Sequence, residues 1–205
     1  MHLKKILIPL LLSASYYAQE PNWPTNAGNA YSSNFGEYRD DHFHMGLDIR
    51  TNGVIGHEVY AAERGFISRI VTNYSGYGKA IYQKTISGKT IVYAHLDKFS
   101  PVMEKVVKLQ QSKNKKYSIS TNFSSNEFRI TKGEVIGYTG ETGYAFGPNL
   151  HFEVRDESDA ALDPLNNGYL MSDKVTPVMN KIALVPLSRG ALINSSSLVQ
   201  TIPLF

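Results

Sequence analysis

The chain has no cysteine among its 205 residues. Disulfides are therefore excluded, and so is a lipidated N-terminal cysteine; an exported form of this chain must rest on its core and on any metal it binds. Charge of one sign is also scarce. The 21 basic residues face 18 acidic ones, and removing Lys4 and Lys5 with a leader leaves 19 against 18. Such a balance implies no strongly basic face, which argues against a nucleic-acid partner. Long apolar runs are missing too. The stretch after Lys5 is too short to span a bilayer. With its basic start and a cleavage point near Ala18, it reads as a signal peptide over 1–18, and so predicts export to the periplasm or the cell exterior with no transmembrane segment in the mature chain.

What remains is enough for one good core, with little room for a second full domain. Residues 19–30 are rich in Pro, Asn and Gly and read as a linker. Short β-type runs follow at Glu58–Ala62, Phe66–Thr72, Lys79–Thr85 and Thr90–Leu96, and Asn52-Gly53 and Ser87-Gly88 are turn signals. This pattern predicts an all-β or β-rich fold with a compact antiparallel sheet and an open groove. Within 101–130, Val102–Gln111 reads as a short helix. Tyr117–Phe123 and Glu127–Ile130 read as a hairpin across Ser124–Asn126. That segment is either a solvated insertion or a wall of a substrate groove. Beyond 165 the chain reads as an extension, the possible start of a further β module. There Ile182–Leu187 and Leu198–Phe205 are strands without an evident partner, a liability for an exposed edge.

Three short segments carry the chemistry: His44-Met-Gly-Leu-Asp48, Tyr93-Ala-His95-Leu96 and Asn149-Leu-His151-Phe-Glu-Val-Arg155. They offer imidazoles and a carboxylate, donors that suit zinc; a catalytic zinc site uses three protein ligands and leaves one position open. In the last segment the period-2 alternation places Asn149, His151, Glu153 and Arg155 on one strand face and Leu150, Phe152 and Val154 on the other. The same rule groups Ile91, Tyr93 and His95. In an extended strand His44 and Asp48 would lie roughly 13 Å apart, so this segment must bend, and Gly46 permits it. His42 and His57 read as structural or solvated. Tyr93 and Tyr144 are aromatic candidates for a groove or for packing. Glu153 is either a partner of a ligand or one half of a solvated ion pair with Arg155.

These segments resemble the lysostaphin-like (M23) zinc metallopeptidases, which are peptidoglycan endopeptidases. Their motifs are H-x-x-x-D and H-x-H, with a further histidine in Y-A-H-L. Flanking text agrees: Phe35-Gly36, Gly56-His-Glu-Val-Tyr-Ala-Ala-Glu-Arg-Gly65, Gly76-Tyr-Gly78, Lys132-Gly-Glu-Val-Ile-Gly-Tyr-Thr-Gly140 and Gly147-Pro148. The similarity covers about 31–165, which it marks as a peptidase domain. It implies one Zn²⁺ per chain on His44, Asp48 and His151, a catalytic His95, and peptidoglycan as the substrate. It also implies a second catalytic histidine at 149, where this chain has Asn149. Asparagine hydrogen-bonds but takes up no proton near neutral pH. The alternative is a non-hydrolytic module that binds cell wall or regulates an amidase.

Overall fold

Turn chemistry cuts the chain into short strands. Asn52 and Gly53 both adopt positive φ, 53° and 77°, as a tight turn requires. The computed structural model describes residues 21–39, 41–171 and 178–204; the expected leader lies outside them. The described residues form two compact units, 21–171 and 178–204.

In the first unit the strands are β1 (Tyr31–Ser33), β2 (Leu47–Arg50), β3 (Glu58–Tyr60), β4 (Gly65–Thr72), β5 (Lys79–Thr85), β6 (Thr90–Ala94) and β7 (Leu96–Phe99). Helix α1 (Pro101–Asn114) follows, then β8 (Ile119–Asn122), β9 (Arg129–Ile130), β10 (Val135–Thr139), β11 (Asn149–Arg155) and β12 (Ala161–Leu162). The main sheet runs β1-β2-β11-β6-β5-β4-β8, with β12 on β11 and β9 on β4. A second sheet has the order β3-β10-β7. All pairings are antiparallel, so the β-rich expectation holds.

The core lies on one face of the main sheet. Leu47 and Ile49 of β2, Ile91 and Tyr93 of β6, and Leu150, Phe152 and Val154 of β11 are all fully buried there. Helix α1 adds Met103 and Val107, one turn apart, each worth about 1.5–3 kcal/mol when buried. Pro101 in its first turn presets the backbone, and Lys115 ends it in the left-handed region (φ 50°). On the opposite face Ala80, Tyr82, Val92 and Ala94 form a smaller cluster. Alternation thus leaves that second face free for polar side chains of β2 and β11.

Several expectations are corrected. Residues 21–30 are not a free linker: Asn22 N donates to Ala62 O (2.8 Å), Thr25 bridges to Val59, and Trp23 packs on the core. The segments at 117–123 and 127–130 do not pair as a hairpin. Strand β8 pairs with Arg69–Thr72 and β9 with Gly65–Phe66, so both extend the same β4 edge end to end. The long, half-buried β4 offers more ladder than the two short segments offer each other. The first unit also runs past 165, because Tyr169 is buried against Phe152 (ring centroids 4.8 Å). In the second unit, β13 (Lys181–Leu184) and β14 (Gln200–Pro203) pair with each other, so these strands do have a partner.

Candidate metal centre

Register builds the site. Asp48 of β2 lies opposite His151 of β11, and His151 lies opposite Ala94 of β6. These three residues form one transverse row on the open face, with side chains ~4.5–5.5 Å apart at Cβ. His44 enters from the segment before β2. The chain between them needs Gly46 for closeness: a Cβ there would lie 2.3 Å from Phe152 O. The glycine expected to permit a bend therefore also permits backbone contact with β11.

His44, Asp48 and His151 could hold a metal ion. His44 Nε2 lies 3.0 Å from His151 Nδ1 and 3.2 Å from Asp48 Oδ1. His151 Nδ1 lies 2.9 Å from Asp48 Oδ1. The far nitrogens fix the tautomers. His44 Nδ1 donates to Asn34 O (2.7 Å), and His151 Nε2 donates to Glu153 Oε1 (2.7 Å). Each imidazole then turns a lone pair inward. Three acceptors about 3 Å apart repel one another unless a cation joins them, and Glu153-His151 is the carboxylate–histidine pair that orients metal ligands. Tetrahedral zinc with bonds of ~2.0–2.1 Å sets its ligands about 3.3–3.4 Å apart, so the donors need open by only a few tenths of an ångström. The residues fit zinc.

Glu153 is fully buried. It also accepts from Arg155 Nε (2.7 Å) and from the Tyr77 hydroxyl. Arg155 Nη1 reaches Asp159 (3.0 Å), and Tyr77 stacks on the His151 ring (5.3 Å). The two readings of Glu153 are therefore both realised, except that the ion pair is buried instead of solvated. Electrostatics follows the geometry. Burial opposes charge on His151, but hydrogen bonds to Asp48 and Glu153 push its pKa up to about 9. Burial also opposes charge on Asp48, and bonds from His151 and His44 hold it well below the usual carboxylate range. The set retains positive charge at its centre, whether as proton or as metal.

His95 departs from the alternation rule. Strand parity would send it into the core with Ile91 and Tyr93. The strand instead breaks at His95, which adopts φ +60°, costly for a residue with a Cβ. The kink brings its ring to the open face, 5.7 Å from the His151 ring. Tyr77 O accepts from His95 N (3.0 Å) and Thr142 O from His95 Nδ1 (2.8 Å). The close packing needs Gly140, where a Cβ would meet Asp97 N at 2.2 Å. With Nδ1–H committed to a carbonyl, Nε2 is the basic nitrogen. Burial first, then the neighbouring His151, lower the pKa of His95 below the usual imidazole value.

Asn149 opens β11 and shares the cleft with His95 and His151. Its Nδ2 donates to Gly147 O (3.1 Å). The cleft measures about 560 Å³. No residue of 101–130 lines it among the described residues, so that segment is not a groove wall. Tyr93 is core, its hydroxyl donating to Gln83 Oε1 (2.5 Å). Tyr144 is exposed and lines the cleft. His42 also lines it, though exposed; His57 does not. Sequence reasoning missed Arg39, whose Nη2 donates to Asp48 Oδ2 (3.1 Å), and Tyr77 and Thr142. Only Tyr77 lay in a segment already marked, between two glycines.

No family model matches the chain. It is 30% identical over 112 residues to "DD-carboxypeptidase/endopeptidase Mpg" of Neisseria meningitidis serogroup B, and equally to that of Neisseria gonorrhoeae. The match covers 55% of this chain but only 20% of those relatives. Among solved structures, a zinc-containing peptidase from Vibrio cholerae aligns with TM-score 0.53 and 21% identity, over 76% of this chain and 40% of that one. The catalytic domain of lysostaphin from Staphylococcus simulans aligns with TM-score 0.49 and 23% identity, over 68% and 91%. The chain shares the fold of the Vibrio cholerae peptidase, a strand-rich antiparallel architecture. Against the H-x-H motif of the family that the sequence resembles, this chain differs at Asn149.

Proposed function

We propose that this chain is a zinc-dependent endopeptidase that hydrolyses peptide cross-links of bacterial peptidoglycan after export. Its single carrying observation is the convergence of three inward acceptors on His44, Asp48 and His151, 2.9–3.2 Å apart, beside the basic nitrogen of His95. The substrate class is supported by the motif resemblance and by the activity in the name of Mpg.

When bound, zinc would polarise the scissile carbonyl and lower the pKa of a water towards about 7. The other work falls to the chain. His95 Nε2 takes the proton of the attacking water, because Thr142 O holds Nδ1–H in the productive tautomer. The same imidazole then returns a proton to the leaving amine. Asn149 moves no proton; one Nδ2–H donates to Gly147 O, and its second amide hydrogen and Oδ1 remain to donate and to accept. Loss of one acid–base group costs typically ~10²–10⁴-fold, and turnover is accordingly slow.

Asn149 itself favours a second reading, a module without chemistry that binds wall or regulates an amidase. The complete donor set weighs against it. A zymogram on purified wall, with and without chelator, tests both. Slow, chelator-sensitive clearing is expected, raised about 10²-fold or more in Asn149→His with zinc content unchanged. If neither protein clears wall while fully loaded with zinc, the second reading takes its place.

A further inference from the structure

Helix α1 takes no part in the site, since no residue of 101–130 lines the cleft among the described residues. Its charge sets it apart. Over 101–116 the five lysines Lys105, Lys108, Lys113, Lys115 and Lys116 stand against one acid, Glu104, and leave a net +4, while the whole chain carries only +3. The near balance of the composition therefore conceals one basic face. All five lysines are exposed, and none has an ion pair among the described residues. Glu104 is half-buried and accepts from Phe99 N (3.2 Å). With 3.6 residues per turn, Met103 and Val107 set the buried side of the helix, and Val102, Lys105, Leu109 and Lys113 fall on its outward side. Val102 and Leu109 lie about two turns apart there and are 63% and 66% exposed. At the end of the helix, Gln110, Asn114, Lys116, Ser118, Ser120 and Thr121 line a separate cavity of about 590 Å³, and no carboxylate lines it.

We propose that the outward side of α1 docks on an anionic phospholipid surface. Charge complementarity selects the anion: unpaired ammonium groups are drawn to an anionic bilayer, with a reach of about one Debye length. The two apolar side chains select lipid over a soluble polyanion. The boundary between headgroups and acyl chains removes Val102 and Leu109 from water, and a soluble polyanion offers them no such phase. The lysine stems lie along that boundary while their ammonium groups stay with the phosphates. The acid-free cavity beside the helix adds ammonium, amide and hydroxyl donors, which suit the acceptor oxygens of a headgroup phosphate. The docking does not depend on the hydrolase reading.

The chain has no cysteine, so Leu109→Cys accepts a single environment-sensitive fluorophore on the outward side of α1. The full chain so labelled is titrated with vesicles of phosphatidylglycerol and phosphatidylcholine in equal parts, and with vesicles of phosphatidylcholine alone. Because the label reports α1 itself, a contact made only by the expected leader leaves it unchanged. The label should brighten and shift to the blue on the mixed vesicles only, and added salt should reverse the change. Lys105→Gln, Lys108→Gln and Lys113→Gln together should weaken binding about 100-fold, the size expected of three lysines at an anionic surface. Val102→Ser should weaken it about 10-fold, the size of one buried valine. All four side chains are exposed, so the melting temperature of these variants should match that of their parent. No spectral change on the mixed vesicles, an equal change on both vesicle types, or a triple lysine variant that binds as well as its parent overturns the proposal. So does tight binding of heparin or duplex DNA without binding of vesicles, which makes the face a site for soluble polyanions instead.

Discussion

Glu153→Gln should weaken zinc binding without removing a ligand. In the wild type both carboxylate oxygens accept. One takes His151 Nε2 and the Tyr77 hydroxyl, the other takes Arg155. A glutamine must turn an NH2 group towards one of these donors. If it faces Arg155, a donor meets a buried cation. If it faces His151, the ring must carry its proton on Nδ1, the nitrogen that points at Asp48 and His44. Either way the tautomer that ligates loses support, and loss of such a partner typically costs about 10–100-fold in metal affinity. That is roughly 1.4–2.7 kcal/mol. With zinc at 100 times the wild-type Kd, the metal stabilises the wild type by about 2.7 kcal/mol, which shrinks to about 1.4 or 0.4 kcal/mol in the variant. The assay is the difference in melting temperature with and without zinc, beside a chelator competition for Kd. The difference is the quantity to compare, because Glu153 also neutralises buried Arg155 and its replacement lowers the metal-free melting point as well. A variant Kd within twofold of wild type would refute the tautomer argument.

Zinc stoichiometry should be one per chain in the wild type and near zero in His151→Ala, measured by elemental analysis; equal zinc in both proteins would remove His151 from the ligand set. Chelation of the wild type should lower its melting temperature, because a ligand bound by the native arrangement alone stabilises it by mass action. His95→Ala should keep its zinc and lose turnover by about 10²–10⁴-fold. The pH profile follows from the lowered pKa of His95. A base works when neutral, and a lowered pKa keeps it neutral to lower pH. The acid limb of kcat/KM on wall fragments should therefore fall below the ordinary imidazole value of about 6.5; a limb above 7 would exclude His95 as the base.

Much of the site was legible because one face of the sheet is buried. In β11 the alternation of Leu150, Phe152 and Val154 with polar residues left a single solution, since a slip of one residue would turn His151 and Glu153 into the apolar core. The turn at Asn52-Gly53 was readable for a similar local reason. The face of His95 was not, because nothing in Tyr-Ala-His-Leu announces a left-handed residue. The cause lies outside the segment, in the carbonyls of Tyr77 and Thr142 and in the space above Gly140. The 117–130 segment failed by the same logic. Its turn residues suit a hairpin, but the neighbouring β4 edge supplied longer pairing. Arg39 could not be found by spacing alone, because its partner Asp48 becomes adjacent only after the segment folds back.

The supports of the three functional groups come from different parts of the chain. Asn34 and Glu153 fix the imidazoles of His44 and His151. The carbonyls of Tyr77 and Thr142 fix His95. The Asn149 side chain is held through Gly147 O, and its backbone N donates to Gly140 O (3.1 Å). Substitution at 149 therefore leaves the tautomers of His44 and His151 and the kink at His95 untouched. It alters what the cleft offers, an amide that only hydrogen-bonds where an imidazole could also move a proton. In a chain with no disulfide, a metal held by donors tied to the β2–β11 register would also brace the fold. The donors would then serve stability independently of turnover, so the full set of His44, Asp48 and His151 and an asparagine at 149 are physically compatible in one protein.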